Sequence, residues 1–393
     1  MPPLTKGNND LVESAASMDG ALFSGPKPIM GWRLCLVMLD ECIMMAFCVL
    51  TIIAAAERSM PEFKQKEEAE KTGEKPPSDP IPTFQLDASL FLVIPISFSA
   101  SLLLFFFFFS QLEFIMAIYI SAFTMVAVAF SVQPICSWLS YVLCGLTTAS
   151  VGFPVLGEVA VTTLISSAVG VFAVLAWLVT AHWILLDVLG IALVIWMLCH
   201  IKLPSIRVAT ALFVSLMIYD VFWVFFSERI FHKNVMMDVA MKQASNPVGV
   251  IANKVGLPEV AKSSPKIMLP GKFVMHGIFS DGSGVLGLGD VFIPGLIACF
   301  TRRFDHTLQC IGRERLKKNR VITYFNCSLL GFCAGMLMST LAVLMYGVAQ
   351  PALLYIVPTS IIPLLLVSIH HGETSALWHG DCSHIQVFPV HRT

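Results

Sequence analysis

The sequence predicts an all-α polytopic membrane protein, a bundle of about nine transmembrane helices, on three observations. Hydrophobic residues make up 56% of the 393 and charged residues only 13%, with a mean hydropathy of +0.78. A soluble globule of that length carries about twice the charge. Uncharged runs recur from Ala88 to Leu112, Phe114 to Gly157, Val159 to Leu186 and Val321 to Gly372, and about twenty apolar residues suffice to cross a bilayer. Two aspartates, Asp220 and Asp290, sit inside such apolar stretches, where a lone carboxylate costs about 2.5–3.5 kcal/mol and marks a functional position.

The elements follow in order. Residues 1–33 form an exoplasmic segment without a charged-then-apolar leader, so insertion is expected to begin with the first span, near 34–56. Asp40 and Glu41 fall inside that span; snorkelling at the span end, a shifted boundary and contact with a partner are the alternatives. Residues 57–87, with Glu67, Glu68, Glu70, Lys71, Glu74 and Lys75 ahead of Pro76, Pro77, Pro80 and Pro82, predict a disordered linker. Four spans follow near 88–110, 112–132, 160–180 and 183–200, completing an N-terminal unit over 34–200. The run Phe105–Phe109 reads as lipid-facing or packing bulk, and His182 and Asp187 as hydrogen-bonded structural groups or steps of a proton path.

Residues 201–370 hold spans near 208–226, 284–301, 321–347 and 351–370. Their long connection, 227–283, carries the apolar cluster Val235, Met236, Met237, Val239, Ala240 and Met241 before Asn246-Pro247. That pattern fits an amphipathic surface helix able to gate or receive substrate, or a solvated connector with one sticky face. The run Arg302, Arg303, Arg313, Arg315, Lys317, Lys318 and Arg320 anchors topology or binds anionic headgroups. Together with Arg58, Lys64, Lys66, Lys71, Lys75, Lys202 and Arg207, it places the N-terminus on the lumenal side and the tail 371–393 in the cytosol.

The remaining signals exclude more than they assign. A net charge of −1 and the lack of a basic soluble domain speak against nucleic acid. Most of the eleven cysteines fall inside spans, so no disulfide framework is implied. The sequon Asn326-Cys327-Ser328 also lies in a span. His370, His371, His379, Cys382, His384 and His391 match no zinc-ligand spacing, and no metal or cofactor is expected. No internal repeat supports an inverted-repeat transporter.

Counting brings the two aspartates together. Asp220 lies about six residues before the end of its span and Asp290 about six after the start of the next, so antiparallel helices place both about 9 Å below the same face. Two ionised carboxylates about 4 Å apart repel by about 4 kcal/mol at an effective dielectric near 20. One shared proton is therefore the expected state near neutrality, and it belongs to the pair rather than to either residue. A neutral and an ionised carboxyl are what amide hydrolysis needs, one donating to the carbonyl oxygen and one taking a proton from water. Gly287 and Gly289 permit close backbone approach, as helix packing also would, and Pro351 opens the last span with no amide hydrogen. An ion-coupled transporter and a noncatalytic binding protein are the competing readings.

Taken together, Tyr219-Asp220, Gly287-Leu288-Gly289-Asp290 and Pro351-Ala352-Leu353, in that order, resemble the presenilin and signal peptide peptidase family of intramembrane aspartyl proteases over about residues 87–370. His182-Trp183, Leu203-Pro204-Ser205, Leu269-Pro270-Gly271-Lys272 and Gln350 through Tyr355 look most like its signal peptide peptidase-like 3 subgroup. The resemblance implies that Asp220 and Asp290 are catalytic, and that Tyr219, Gly287, Leu288, Gly289, Pro351, Ala352 and Leu353 shape the substrate site. It further implies water-mediated cleavage of type II transmembrane proteins within the lipid bilayer, notably Golgi glycan-modifying enzymes. No obligatory accessory subunit is implied, a homo-oligomer stays open, and the Golgi membrane is the expected compartment, with the endoplasmic reticulum or plasma membrane as alternatives.

Overall fold

A computed structural model describes residues 31–72, 84–86, 90–144, 150–153, 157–257, 259, 264–276, 283–310, 323–348 and 350–380. The long helices are α1 (Gly31–Thr72), α2 (Leu90–Cys144), α3 (Val161–Thr180), α4 (Trp183–His200) and α5 (Ile206–Val221), which continues through a π turn, Phe222–Phe226, into the short α6 (Ser227–Phe231). Two small helices, α7 (Val235–Met241) and α8 (Pro247–Lys254), occupy the long connection. Beyond it lie α9 (Leu288–Cys310), α10 (Tyr324–Tyr346), α11 (Leu353–His371) and α12 (Thr374–His379). Three two-stranded ribbons complete the fold: β1 (Phe84–Gln85) parallel with β4 (Ile201–Lys202), β2 (Ser150–Phe153) antiparallel with β3 (Gly157–Ala160), and β5 (Lys272–His276) antiparallel with β6 (Ser283–Gly287).

Among the described residues, seven helices are long and apolar enough to cross a membrane, against the nine spans expected. Two features account for the difference. The spans placed at 88–110 and 112–132 belong to one helix, α2, whose path breaks at Phe108 (φ −119°, ψ 23°). On one arm of the break Ser99 meets Trp223, and next to it the Phe106 carbonyl meets Lys242; on the other Glu113 binds Ser245, and farther along Phe130 packs on His200 at the opposite end of α4. The two arms thus run in opposite senses across the bundle. The span expected at 284–301 begins instead at Leu288, after a strand, and it is the element left out of the seven.

That helix, α9, is the hub. Val291, Leu296, Ile297, Ala298 and Cys299 are buried against Ile52 of α1, Leu198 of α4, Phe213 of α5, Phe332 of α10 and Ile356 of α11. Wrapped by protein rather than lipid, it tolerates Asp290, Arg303 and Asp305. A second cluster joins α2, α3 and α4 around Trp177, Leu189 and Ala127.

Local signals set the element ends. The Ser205 hydroxyl accepts from the Val208 amide to start α5, Thr323 does the same for Asn326 at α10, and Asn246 caps α8 ahead of Pro247. Glycines in the left-handed region, Gly347 (φ +65°) and Gly372 (φ +68°), close α10 and α11. Close helix approach uses another pair. A Cβ on Gly335 would stand 2.6 Å from the Ile356 Cα, and one on Gly331 would strike the Thr359 carbonyl, so α10 and α11 meet backbone to backbone.

Two expectations for the N-terminal half are corrected. Residues 57–72, assigned to a disordered linker, continue α1 as helix, with Glu57 paired to Arg302 at 2.5 Å; residues 73–83 lie outside the described set. Asp40 is buried rather than snorkelling, and the Glu41 carboxylate lies beside Gly284 at the start of β6 and bonds Thr340 of α10. The helix keeps these acids inward because the bundle, not lipid, surrounds that face.

Candidate active site

Asp220 and Asp290 line a single cavity of about 790 Å³ and lie within electrostatic reach of one another. Asp220 is buried one residue before the end of α5, and the following π turn inserts an extra residue that re-aims the helix beyond it. Its Oδ2 accepts the backbone N–H of Leu353 at 3.3 Å, a donor free to leave the helix because it stands in the first turn of α11. Asp290 sits in the first turn of α9 and accepts from the Gly287 backbone. A helix N-terminus suits a carboxylate, since its amides point outward and its dipole favours negative charge.

The β5–β6 hairpin fixes the approach to Asp290. Gly287 is the last residue of β6 and pairs with Lys272; Val285 pairs with Val274. A Cβ on Gly287 would meet the Asp290 Oδ2 at 3.1 Å, tighter than an ordinary contact, so this glycine serves the carboxylate next to it. The outer edge of β5 is anchored: the Val274 N–H donates to the Asp187 carboxylate of α4 at 2.8 Å. In an antiparallel ladder that outward bond makes Val274 and Val285 a non-hydrogen-bonded pair, so the Val285 N–H and C=O point away from β5. Asp187 is thereby a structural acceptor, and His182 caps α4 by accepting from the Ile184 amide.

The other walls come from α2 (Phe105, Phe109, Glu113), α7 (Met236, Val239, Ala240), the end of α10 and the residues before α11 (Gln350, Ala352). Two cavity groups are satisfied by neighbours: Glu113 Oε1 accepts from the Ser245 hydroxyl at 2.7 Å, and Lys242 pairs with Asp238 at 3.2 Å while resting over the Phe106 and Phe109 rings. Lys272 is 8% exposed and gives one hydrogen bond to an oxygen, the Ala240 carbonyl at 2.7 Å. Burial pulls the Lys272 ammonium below the usual lysine range.

The expected site residues are divided by the structure. Asp220, Asp290, Gly287 and Ala352 line the cavity. Leu353 takes part through its amide, whereas its side chain is buried in the core with Leu288. Tyr219 turns from the cavity to pack on Phe98 and Trp223. Gly289 is exposed with nothing within 4 Å of a Cβ there, and Pro351 is buried beside Ala352 without joining the lining. The periodicity of 235–241 had marked α7, which does wall the cavity. Lys272, Glu113 and Gln350 were not singled out as site residues, because the hairpin, the bend of α2 and the packing of the segment before α11 are what bring them to the cavity.

Residues 78–384 match the family model described as signal peptide peptidase. Similar curated proteins include signal peptide peptidase-like 1 of Oryza sativa subsp. japonica, 35% identical over 312 residues, which are 75% of this chain and 82% of that one. Signal peptide peptidase-like 1 of Arabidopsis thaliana is 35% identical over 315 residues with the same coverage. Signal peptide peptidase-like 3 of Oryza sativa subsp. japonica is 34% identical over 236 residues, 59% of this chain and 40% of that longer protein. No solved structure matches.

Proposed function

Because the chain belongs to the signal peptide peptidase family, multi-pass membrane proteins that act as intramembrane aspartic endopeptidases on membrane-protein substrates, we propose that Asp220 and Asp290 are its catalytic pair. The observation that carries this reading is their common cavity: two carboxylates from different helices, each held by a backbone N–H, face one apolar cleft. One carboxylate takes a proton from the attacking water while the protonated partner donates to the scissile carbonyl oxygen. The tetrahedral intermediate then collapses, and no covalent enzyme intermediate forms.

A helical substrate buries its amides in its own hydrogen bonds, so cleavage requires an extended segment. The outward N–H and C=O of Val285 provide a strand edge for that segment, next to the carboxylates and opposite the edge anchored by Asp187. Gly287 and Ala352, both small, leave room for a backbone beside the pair.

The substrates are type II transmembrane proteins, with Golgi glycan-modifying enzymes foremost, released into the lumen by an enzyme whose N-terminus is lumenal and C-terminus cytosolic. The distribution of Lys and Arg supports that orientation, and the subgroup resemblance supports the substrate class, the Golgi membrane and action without an accessory subunit. The test is reconstitution of wild type, Asp220→Asn and Asp290→Asn in vesicles with a type II transmembrane substrate. Each variant loses cleavage by at least about a thousandfold with its thermal unfolding retained, as when one member of an acid–base unit is removed. Normal turnover by either variant refutes the assignment.

A further inference from the structure

Outside the Asp220–Asp290 pair, Lys272 is the charged group of this cavity whose hydrogen-bonding capacity is least used. An ammonium carries three donors. Among the described residues, that of Lys272 reaches one oxygen, the Ala240 carbonyl at 2.7 Å, and the soft sulfur of Met241 at 3.9 Å. Its neighbours differ: Lys242 has Asp238, the Phe106 carbonyl and two aromatic faces, and Glu113 has both the amide and the hydroxyl of Ser245.

Position makes those spare donors useful. Lys272 stands directly across the hairpin from Gly287, three residues before Asp290, so both project from the same hairpin face. A Cβ on Gly287 would point at the Asp290 carboxylate, so the Lys272 stem leaves the hairpin beside the catalytic pair. Its ammonium then runs toward the last turn of α7, where the Ala240 carbonyl waits. With 8% exposure, the charge lies between an apolar cleft and a helix C-terminus, and among the described residues its partners, the Ala240 carbonyl and the Met241 sulfur, are both neutral. A cation placed so is costly until an anion joins it.

We propose that Lys272 is the specificity-determining residue of an anion-binding subsite in this cleft, taking the carboxylate of an acidic substrate side chain a few residues from the scissile bond. The subsite lies on the side of the connection 227–276, so the acidic residue belongs to the part of the substrate leaving the membrane there. The proposal rests on cleavage at Asp220 and Asp290. Substrate entry gives the buried ammonium its missing counter-charge, and a substrate neutral at that position leaves it with the neutral Ala240 carbonyl and Met241 sulfur.

The experiment uses full-length protein in vesicles and one transmembrane substrate whose scissile bond is located by mass spectrometry. Single Asp and single Asn residues are then placed at each of the flanking positions, and kcat/KM is compared for the Asp and Asn members of each pair. Wild type favours Asp about tenfold at one or two neighbouring positions, equivalent to about 1.4 kcal/mol. In Lys272→Gln, whose amide still donates to the Ala240 carbonyl, the ratio falls to about one; in Lys272→Arg much of it returns. A purely structural Lys272 lowers both members of each pair equally and leaves the ratio intact, which overturns the proposal. A wild-type ratio near one at every position overturns it too, with no variant needed. Cleavage by wild type that persists in Asp220→Asn sinks the catalytic assignment and this subsite with it, whereas Asp220-dependent cleavage without an Asp preference sinks the subsite alone.

Discussion

Gly287→Ala isolates the contact between β6 and the Asp290 carboxylate, the proposed catalytic group. The backbone at 287 is not in the left-handed region, so alanine meets no conformational penalty there. Its single new atom stands 3.1 Å from Asp290 Oδ2, and the carboxylate must give way by a few tenths of an ångström. A misplacement of about 1 Å at a reacting group costs about a hundredfold, so a shift of this size costs about fivefold. Weakening the Gly287 bond to Asp290 adds about 1 kcal/mol, since hydrogen bonds to charged groups contribute about 1.5–3 kcal/mol. The expected outcome is a fall in kcat of about tenfold to thirtyfold, with KM changed by less than about threefold because no binding group is removed. Initial rates on a reconstituted transmembrane substrate measure both constants, and a thermal melt of the same vesicles reports the fold. Gly289→Ala, with nothing within 4 Å of its new atom, loses less activity than Gly287→Ala. The reasoning is refuted if the two variants reverse in order, or if Gly287→Ala turns over at the wild-type rate.

Two further variants probe the frame around the site. Gly335→Val drives two methyl groups into the Ile356 backbone of α11, 2.6 Å from even a Cβ, and overpacking of this kind destabilises by about 1–3 kcal/mol; a lower melting temperature in detergent is the readout. Asp187→Ala removes the acceptor of the Val274 N–H and leaves that amide unsatisfied, at about 1–3 kcal/mol. Hydrogen exchange at Val274 accelerates, and cleavage falls severalfold without disappearing, because the hairpin positions Asp290 but does no chemistry. Complete loss of cleavage at an unchanged melting temperature contradicts that role.

The parts of the site that were legible in the sequence are those whose signal is local. An aspartate in an apolar run is conspicuous because hydrocarbon penalises charge, whatever the fold. Asn246-Pro247, Ser205 and Thr323 announce helix starts because capping acts within three residues. Counting put each aspartate about six residues from a span end, whereas Asp290 stands two residues after the start of α9 and Asp220 one before the end of α5, and it is the shared cavity that brings them together. Signals needing knowledge of neighbours were misread. The charged stretch 57–72 looks disordered by composition, yet its helix continues from a buried α1. Asp40 and Glu41 look misplaced in a span until the bundle is seen to shelter them. Tyr219, adjacent to Asp220 in the chain, points elsewhere because successive helical residues diverge by about 100°.

By its composition and long apolar runs, the sequence alone determined a multi-pass membrane protein, and it made two acids in apolar surroundings conspicuous. Those properties follow from the energetics of transfer into hydrocarbon, which each segment experiences separately. Tertiary structure decided that α9 is the protein-wrapped hub, that the hairpin edge beside Val285 lies open, and that Lys272 reaches the cavity. All three depend on contacts between segments far apart in the chain, and such contacts are set by packing of the whole bundle rather than by any local pattern.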